Sequence, residues 1–375
     1  MAKKKVLFLI ESLIVGGAEK ILLEIVNHLD YEQFDVTVCS VFKYSVYKQY
    51  DKVFETPLRK EVHFRHIINN RYKFLYIIFN YLLPRIPTFL YNIFLNKDYD
   101  TLVAFYEGLP TTWLGNINIK KGKKIAWLHT SASLSMNGWS EEKIVNQGKL
   151  YKSFDQIIAV SNGVADSYRS IFNDLSIQTV FNPINSSEII KKSLQERNEI
   201  IKKRLTFVSV GRMTPAKGYD RWLRVVNNLI KMGYEFDVWI IGGGDSSHLQ
   251  QFIRDENLED YVKLWGHQSN PYPFIKKADW YCCPSIVEGL STTVIEAVIL
   301  EKPIVVTDCP GMSDILGDSE YGIILNNNEQ DIINGIKNIL DNSVIKSKYI
   351  KKAKLRKSYF KIDNSISEIS RHLAV

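Results

Sequence analysis

Short apolar runs of strand length alternate with longer amphipathic stretches along most of the chain, and the alternation starts afresh after residue 204. VLFLI (6–10) reads as a buried strand. The GGAEKILLEIVNHL that follows it sets Ile21, Leu22, Ile25, Val26 and Leu29 at helical spacing. DVTVCSV (35–41), TLVAF (101–105), KIAWL (124–128) and QIIAV (156–160) read as further strands, and this series closes at VFNPI (180–184), where Pro183 blocks regular structure. The second series opens with the strand LTFVSVG (205–211). It continues through a helix ending at Gly233, the strand and turn FDVWIIGGG (236–244), the strands YVKLWG, DWYCCPS and PIVVTD, and a helix between Thr292 and Leu300. Apolar strands separated by helices require parallel sheets covered on both faces. The expected class is α/β, with two doubly wound sheets that bind ligands beyond the carboxyl ends of their strands.

Length agrees with two such units, since 375 residues exceed the roughly 150 of one ordinary domain. The expected division is an N-terminal domain at 1–185, a polar linker at 186–204 and a C-terminal domain at 205–356. A last helix at about 357–375 is expected to pack back on the first domain. With 45% hydrophobic and 24% charged residues, disorder and fibrous repeats are excluded. Cys39, Cys282, Cys283 and Cys309 lack zinc-site spacing, lie in or beside apolar runs and are too few for a disulfide framework. They read as buried thiols of a cytoplasmic protein. The apolar run after MAKKK is five residues, shorter than the roughly 7–15 of a leader segment. No stretch approaches the roughly 20 apolar residues of a membrane span.

The net charge of +7 is unevenly placed: Lys346 to Lys361 holds eight Lys or Arg and no acid, and Arg59 to Lys97 interleaves basic residues with aromatics. The second stretch reads as two short helices broken at Pro84 and Pro87. Aromatic and basic residues together suit a membrane interface, with Arg71, Lys73 and Arg85 meeting anionic lipid. The alternative is that Phe74, Leu75, Ile78 and Leu82 fill the N-terminal core. Nucleic acid is not expected as a partner, because no aromatic platform or known module accompanies the charge.

Several loops carry candidate chemistry. Gly16 and Gly17 lie between the first strand and first helix, where glycine permits close approach of an anion to helix amides; a tight turn needing positive φ is the plainer alternative. Arg212 and Lys217 follow the strand of VSVGRMTPAKG, a fork and a point charge suited to a diphosphate. In PSIVEGLSTTVIEA, Glu288 precedes a helix start and Glu296 lies one turn inside it, two carboxylates able to read hydroxyl geometry. Asp98-Tyr99-Asp100 is a D-x-D string, but it stands at the amino end of its strand. Glu107, past TLVAF, and His129, past KIAWL, stand at carboxyl ends.

These segments together resemble the retaining glycosyltransferases of family 4, of GT-B fold. The resemblance is carried by GGAE, VSNGV, NPI, GRMTPAKG, IIGGGD, LWGH and EGLSTTVIEA. It implies two facing Rossmann-like domains with a cleft between them, and transfer of a hexose or N-acetylhexosamine from a nucleotide diphosphate sugar, by preference a UDP-sugar. The implied acceptor is a glycan or lipid-linked glycan of a cell-surface polysaccharide such as capsule or lipopolysaccharide. On this resemblance Arg212 and Lys217 hold the diphosphate, Glu288 contacts the donor sugar, Glu296 the ribose, and His129 lies beside the transferred sugar. Gly16, Gly17, Gly266, His267, Gly289, Leu290, Ser291 and Thr292 complete the donor site; Glu107, from its place just past TLVAF and apart from the resemblance, is a candidate for acceptor contact. No metal or other cofactor is expected, and the enzyme is expected in the cytoplasm, peripheral on the inner membrane face. The family commonly has a small residue and an aliphatic pair after the first Glu, where this chain has Ser291, Thr292 and Thr293. A catalytically silent subunit or a sugar-nucleotide epimerase of similar architecture are the alternatives.

Overall fold

A computed structural model of the chain describes residues 2–13, 17–43, 58–68, 73–82, 86–95 and 98–374. The chain divides into two compact units, Met1–Pro183 with Asp363–Val375, and Ile184–Ile362.

In the first unit, β1 (Lys4–Ile10), α1 (Gly17–His28), β2 (Phe34–Phe42) and β3 (His63–Ile68) are followed by α2 (Lys73–Leu82) and α3 (Pro87–Phe94). Then come β4 (Thr101–Ala104), α4 (Leu109–Gly115), β5 (Lys123–Leu128), α5 (Ala132–Ser135), α6 (Glu141–Tyr151), β6 (Gln156–Ala159), α7 (Asn162–Arg169) and β7 (Ile177–Thr179). The second unit holds α8 (Ser186–Ser193), β8 (Thr206–Val210), α9 (Tyr219–Lys231), β9 (Asp237–Ile241), α10 (Ser247–Asp255), β10 (Val262–Leu264) and α11 (Tyr272–Lys277). It continues with β11 (Trp280–Cys283), α12 (Thr292–Ile299), β12 (Ile304–Thr307), α13 (Met312–Leu316), β13 (Ile323–Leu325), α14 (Glu329–Asp341) and α15 (Ser343–Arg356). Last comes α16 (Ile362–Ala374), which buries Ile369 and Leu373 and accepts a 3.0 Å hydrogen bond from Thr101 Oγ1 at the Leu373 carbonyl, within the first unit.

Both sheets are parallel throughout. Their strand orders are β3-β2-β1-β4-β5-β6-β7 and β10-β9-β8-β11-β12-β13. Each reverses direction of growth once, between β1 and β4 in the first sheet and between β8 and β11 in the second. At such a reversal the loops leaving the two central strands diverge and leave a crevice beyond their carboxyl ends. The central strands are buried on both faces, which is why their sequences are apolar without alternation. Aromatic rings fill the layers between sheet and helices: Phe105 on Trp127 at 5.1 Å in the first unit, Phe207 on Phe236 at 5.6 Å in the second.

Several expectations change. Within 59–97 there is an edge strand, β3, whose HFRHII carries polar residues because its burial is only partial. β7 and β13, three residues each, are too short to stand out as apolar runs. Pro87 does not break a helix; it occupies the first position of α3, where its missing N–H costs nothing. Pro84 lies outside the described residues. Residues 186–204, read as a linker, contain α8 and belong to the second unit. The basic run at 346–361 falls largely on α15, where Lys346 pairs with Asp279 and Lys352 with Glu320. All four cysteines are buried thiols.

Candidate functional site

The second sheet's reversal point is lined by the loops after β8 and β11. Gly211 ends β8, and a Cβ there would come within 3.1 Å of the Lys217 side chain. Gly242 leaves no room at all, since a Cβ would stand 1.7 Å from the Gly211 carbonyl oxygen. Backbones therefore stack from Gly211 through Gly242 to Gly266, with Gly242 N–H donating to the Gly266 carbonyl at 2.9 Å. A 3-10 turn, Pro215–Lys217, then carries Lys217 back across the end of β8. Gly218, at φ +66°, lets the chain enter α9 where any Cβ would strike the Pro284 carbonyl oxygen at 2.2 Å.

This folding brings Lys217 and Glu288 into direct contact, Nζ to Oε1 at 2.6 Å. Ser285 Oγ donates to the same Oε1 at 2.7 Å, and the Cys283 thiol lies at 3.9 Å. None of these contacts uses Oε2. Burial opposes the charge on Lys217, but Glu288 and Cys283 outweigh it and the pKa of Lys217 is raised. The ammonium thus stays charged through the physiological range. Arg212 is exposed on the same loop, and its charge acts on Lys217 through space. Neither Arg212 nor Lys217 is consumed in the core.

Next to Glu288 is the start of α12. Gly289 and Leu290 are buried, and Gly311, at φ +81°, abuts the Gly289 carbonyl so closely that a Cβ would be 2.2 Å from it. Ser291 occupies the N-cap of α12, yet its side chain caps nothing; its Oγ lies 3.3 Å from Thr293 Oγ1. Side chains cap α6, α7, α8, α14 and α15 through Ser140, Ser161, Asn185, Asn328 and Asn342, whereas α3, α4, α5, α9, α10, α11 and α13 start, like α12, without one. A helix start without a side-chain cap, led by Ser291 and Thr292, retains the partial positive charge of its first turn for an external anion. Glu296, in the second turn, is buried at 3% exposure and accepts from Tyr272 Oη at 3.1 Å. Gly266 and His267 are exposed past the end of β10. Ser285 and Tyr272 are the residues the sequence reading missed. Ser285 stood in plain view three positions before Glu288, whereas Tyr272 is joined to Glu296 across 24 residues with no local signal.

At the first sheet's carboxyl edge, Glu107 follows β4 and His129 follows β5. Glu107 Oε1 accepts from the backbone N–H groups of His129 and Thr130, both at 2.7 Å, and from Thr130 Oγ1 at 3.2 Å. Among the described residues its buried Oε2 has no hydrogen-bond partner, nor has the buried His129 Nε2. Burial raises the Glu107 carboxyl to about 7 against those hydrogen bonds, and burial alone lowers His129 to about 3. The His129 ring lies 4.6 Å from Phe105 and 6.3 Å from Trp127, and is neutral at physiological pH. Gly17 is exposed as the first residue of α1; it does not have positive φ, and a Cβ there would meet nothing within 4 Å among the described residues. Gly16 lies outside the described residues. Asp100 of the D-x-D string accepts from Lys5 N–H at 2.9 Å at the amino end of its sheet, a structural role.

Residues 190–356, the greater part of the second unit, match the family model described as glycosyl transferases group 1. The two doubly wound parallel sheets are those of the GT-B glycosyltransferase fold. The Anabaena protein HepE, in its crystal structure with UDP and glucose, superposes with a TM-score of 0.72 over 99% of both chains, at 16% identity. In sequence, the chain is 28% identical over 216 residues to the N-acetylgalactosamine-N,N'-diacetylbacillosaminyl-diphospho-undecaprenol 4-alpha-N-acetylgalactosaminyltransferase of Campylobacter jejuni, covering 56% of this chain and 58% of that one. It is 25% identical over 249 residues to the poly(ribitol-phosphate) alpha-N-acetylglucosaminyltransferase of Staphylococcus aureus, covering 64% of this chain and 48% of that one. The matched regions thus span less than two thirds of either relative.

Proposed function

We propose that the chain is a retaining, metal-independent glycosyltransferase of family 4 that moves a hexose or N-acetylhexosamine from a UDP-sugar to a glycan or lipid-linked glycan in cell-surface polysaccharide synthesis. The observation that carries this reading is the Lys217–Glu288 pair beside the uncapped start of α12 at a sheet reversal. A sugar diphosphate supplies an anion to this helix start and competes with Glu288 for Lys217, with Arg212 as a second cation. As the glycosidic bond breaks, charge grows on the departing phosphate oxygen, and fixed cations and amides stabilise it more than they stabilise the ground state. Two cations and a helix start supply the charge that a divalent ion supplies elsewhere. Glu288, released from Lys217 by the diphosphate, is free to accept sugar hydroxyls, Glu296 those of the ribose, with Gly266 and His267 lining the same ligand.

In the first unit Glu107 Oε2 and His129 Nε2, without a hydrogen-bond partner among the described residues, suit neutral hydroxyl groups, His129 those of a sugar and Glu107 those of an acceptor. The test is UDP release and product analysis with a panel of UDP-sugars in excess chelator, with and without acceptor lipid. Acceptor-dependent release yielding an α-linked product from an α-linked donor is expected. Loss of activity in chelator, restored by magnesium or manganese, would overturn metal independence. Interconversion of the sugar without transfer would favour an epimerase, and donor binding without turnover a silent subunit.

A lipid-linked acceptor places the enzyme at the cytoplasmic membrane face. Ile77, Ile78, Tyr81, Phe89 and Ile93 of α2 and α3 are exposed, Ile78 at 48%, so Ile78 does not fill the core. From Val62 to Lys97 the sequence holds no acidic residue. Exposed apolar side chains in a cationic setting match an anionic interface. No helix among the described residues is long and apolar enough to cross a membrane. Retention on anionic liposomes at low salt, weakened by neutralising Arg71, Lys73 and Arg85, is expected; wild-type protein that stays in the supernatant removes this part of the proposal.

A further inference from the structure

The amino edge of the second sheet carries an unbalanced cluster of lysines. Asp279, just before β11, is the carboxylate at its centre. Lys202 Nζ reaches both of its oxygens at 3.0 Å, Lys346 Nζ lies at 2.6 Å, and Thr206 N–H donates at 2.9 Å. One carboxylate is thereby shared between two ammoniums and has nothing left to offer. Lys302 stands beside them, and its acceptors among the described residues are the carbonyls of Lys276 and Ala278. Burial pushes Lys302 down to about 8; Asp279 opposes this, while Lys346, Lys202 and Lys276 add like-charge repulsion. Such crowding is unfavourable unless a further anion offsets it.

A cavity of about 790 Å³ adjoins this cluster, between the segment after α8 and the helix α11. Its lining includes Arg197, Lys202, Lys276, Lys277 and Glu196; Arg197 pairs with Glu199 at 2.5 Å and donates to Gln268 at 2.9 Å, and Lys202 is held by Asp279, so Lys276 and Lys277 are the lining cations without a carboxylate contact among the described residues. Lys276 and Lys277 are exposed, and Lys277 Nζ donates to the Ile200 carbonyl, which fixes the wall. Leu194 and Ile201 stand at the rim at 63% and 70% exposure. Lysines act on phosphate as point charges from several directions, and a phosphate's two negative charges use more of them than a carboxylate does.

We propose that this cavity is a second anion site, separate from the residues assigned to donor binding, and that it takes a phosphate or diphosphate group. The group can belong to a soluble ligand or to a lipid headgroup whose chain lies against Leu194 and Ile201. Asn198, exposed in the lining, offers a local reporter: Asn198→Cys can be labelled with bimane because the native cysteines are all buried. The labelled protein is titrated with inorganic pyrophosphate, and separately with vesicles of phosphatidic acid in phosphatidylcholine. A saturable emission change is expected, with the apparent Kd raised about tenfold by Lys276→Gln with Lys277→Gln and restored by the two arginine replacements. Saturation by pyrophosphate alone assigns a soluble phosphate, and saturation by vesicles alone assigns a headgroup. No change with either ligand, an unaltered Kd in the glutamine variant, or the same response to sodium chloride at equal ionic strength overturns the proposal.

Discussion

The carboxyl edges of the two sheets have the same topology and opposite electrostatics. Beyond β8 and β11, charge is kept: Lys217 and Glu288 face each other at 2.6 Å, and Arg212 stands exposed beside them. Beyond β4 and β5, charge is suppressed: Glu107 is pushed up to about 7 and His129 down to about 3, both by burial. One parallel-sheet scaffold can therefore present a charged crevice or a nearly neutral one, depending on which side chains the loops carry and how deeply they bury them. The charged edge suits a diphosphate, and the neutral edge suits hydroxyl groups.

The largest expected effect breaks the charged side of this contrast. Lys217→Ala removes the cation and leaves Glu288 with only Ser285 and Cys283 against the same oxygen. Turnover should fall about 10²-fold or more, the size associated with one lost oxyanion donor, while the circular dichroism spectrum is unchanged. Wild-type kcat in UDP release would show that Lys217 is a structural partner of Glu288 alone.

The neutral side is sharpened by pH. Folding raises Glu107 from its usual 4.5 to about 7, so the folded chain holds a proton the unfolded chain has lost. That contribution to stability is complete below 4.5 and is lost as pH rises through 7. Folding lowers His129 from 6.5 to about 3, so its contribution is present above 6.5 and lost as pH falls toward 3. Between 4.5 and 6.5 the two slopes oppose each other, each at most about 1.4 kcal/mol per pH unit. Glu107→Gln should leave the His129 slope, with the urea midpoint falling on acidification. His129→Phe should leave the Glu107 slope, with the midpoint rising. Parallel profiles in wild type and both variants would mean that one or both side chains are solvated.

How much of this was legible in the sequence follows from range. The doubly wound α/β class was legible because buried parallel strands are apolar along their whole length, as in VLFLI and WYCC. β3 was not, since an edge strand with His63, Arg65 and His66 carries no such run. In the second unit the loop glycines and the spacing of Lys217, Glu288 and Glu296 drew attention to one place. Their mutual geometry was not legible: the 2.6 Å contact joins residues 71 apart and depends on Gly211 and Gly218 having no side chain. The orphaned Glu107 Oε2 also lay beyond reach, because burial belongs to the packed fold and leaves no mark on neighbouring residue types.

The smallest expected effect separates two serines that look alike in sequence. Ser161 and Ser291 both occupy the N-cap of a helix that follows a strand at a sheet's carboxyl edge, α7 in the first unit and α12 in the second. Ser161 Oγ accepts from Val164 N–H at 3.0 Å, whereas the Ser291 side chain accepts from no amide of its helix. Ser161→Ala should cost about 1 kcal/mol of stability, the usual worth of a capping hydroxyl. Ser291→Ala loses only a 3.3 Å contact with Thr293 and should stay within about 0.5 kcal/mol of wild type. A diphosphate at α12 would occupy the donors that a cap otherwise takes, so UDP should raise the melting temperature of wild type and of Ser291→Ala alike, with Ser161→Ala shifted down by the same amount with or without UDP. Equal destabilisation by the two substitutions would mean that Ser291 caps α12 in solution, and the first turn of that helix would no longer be available to an anion.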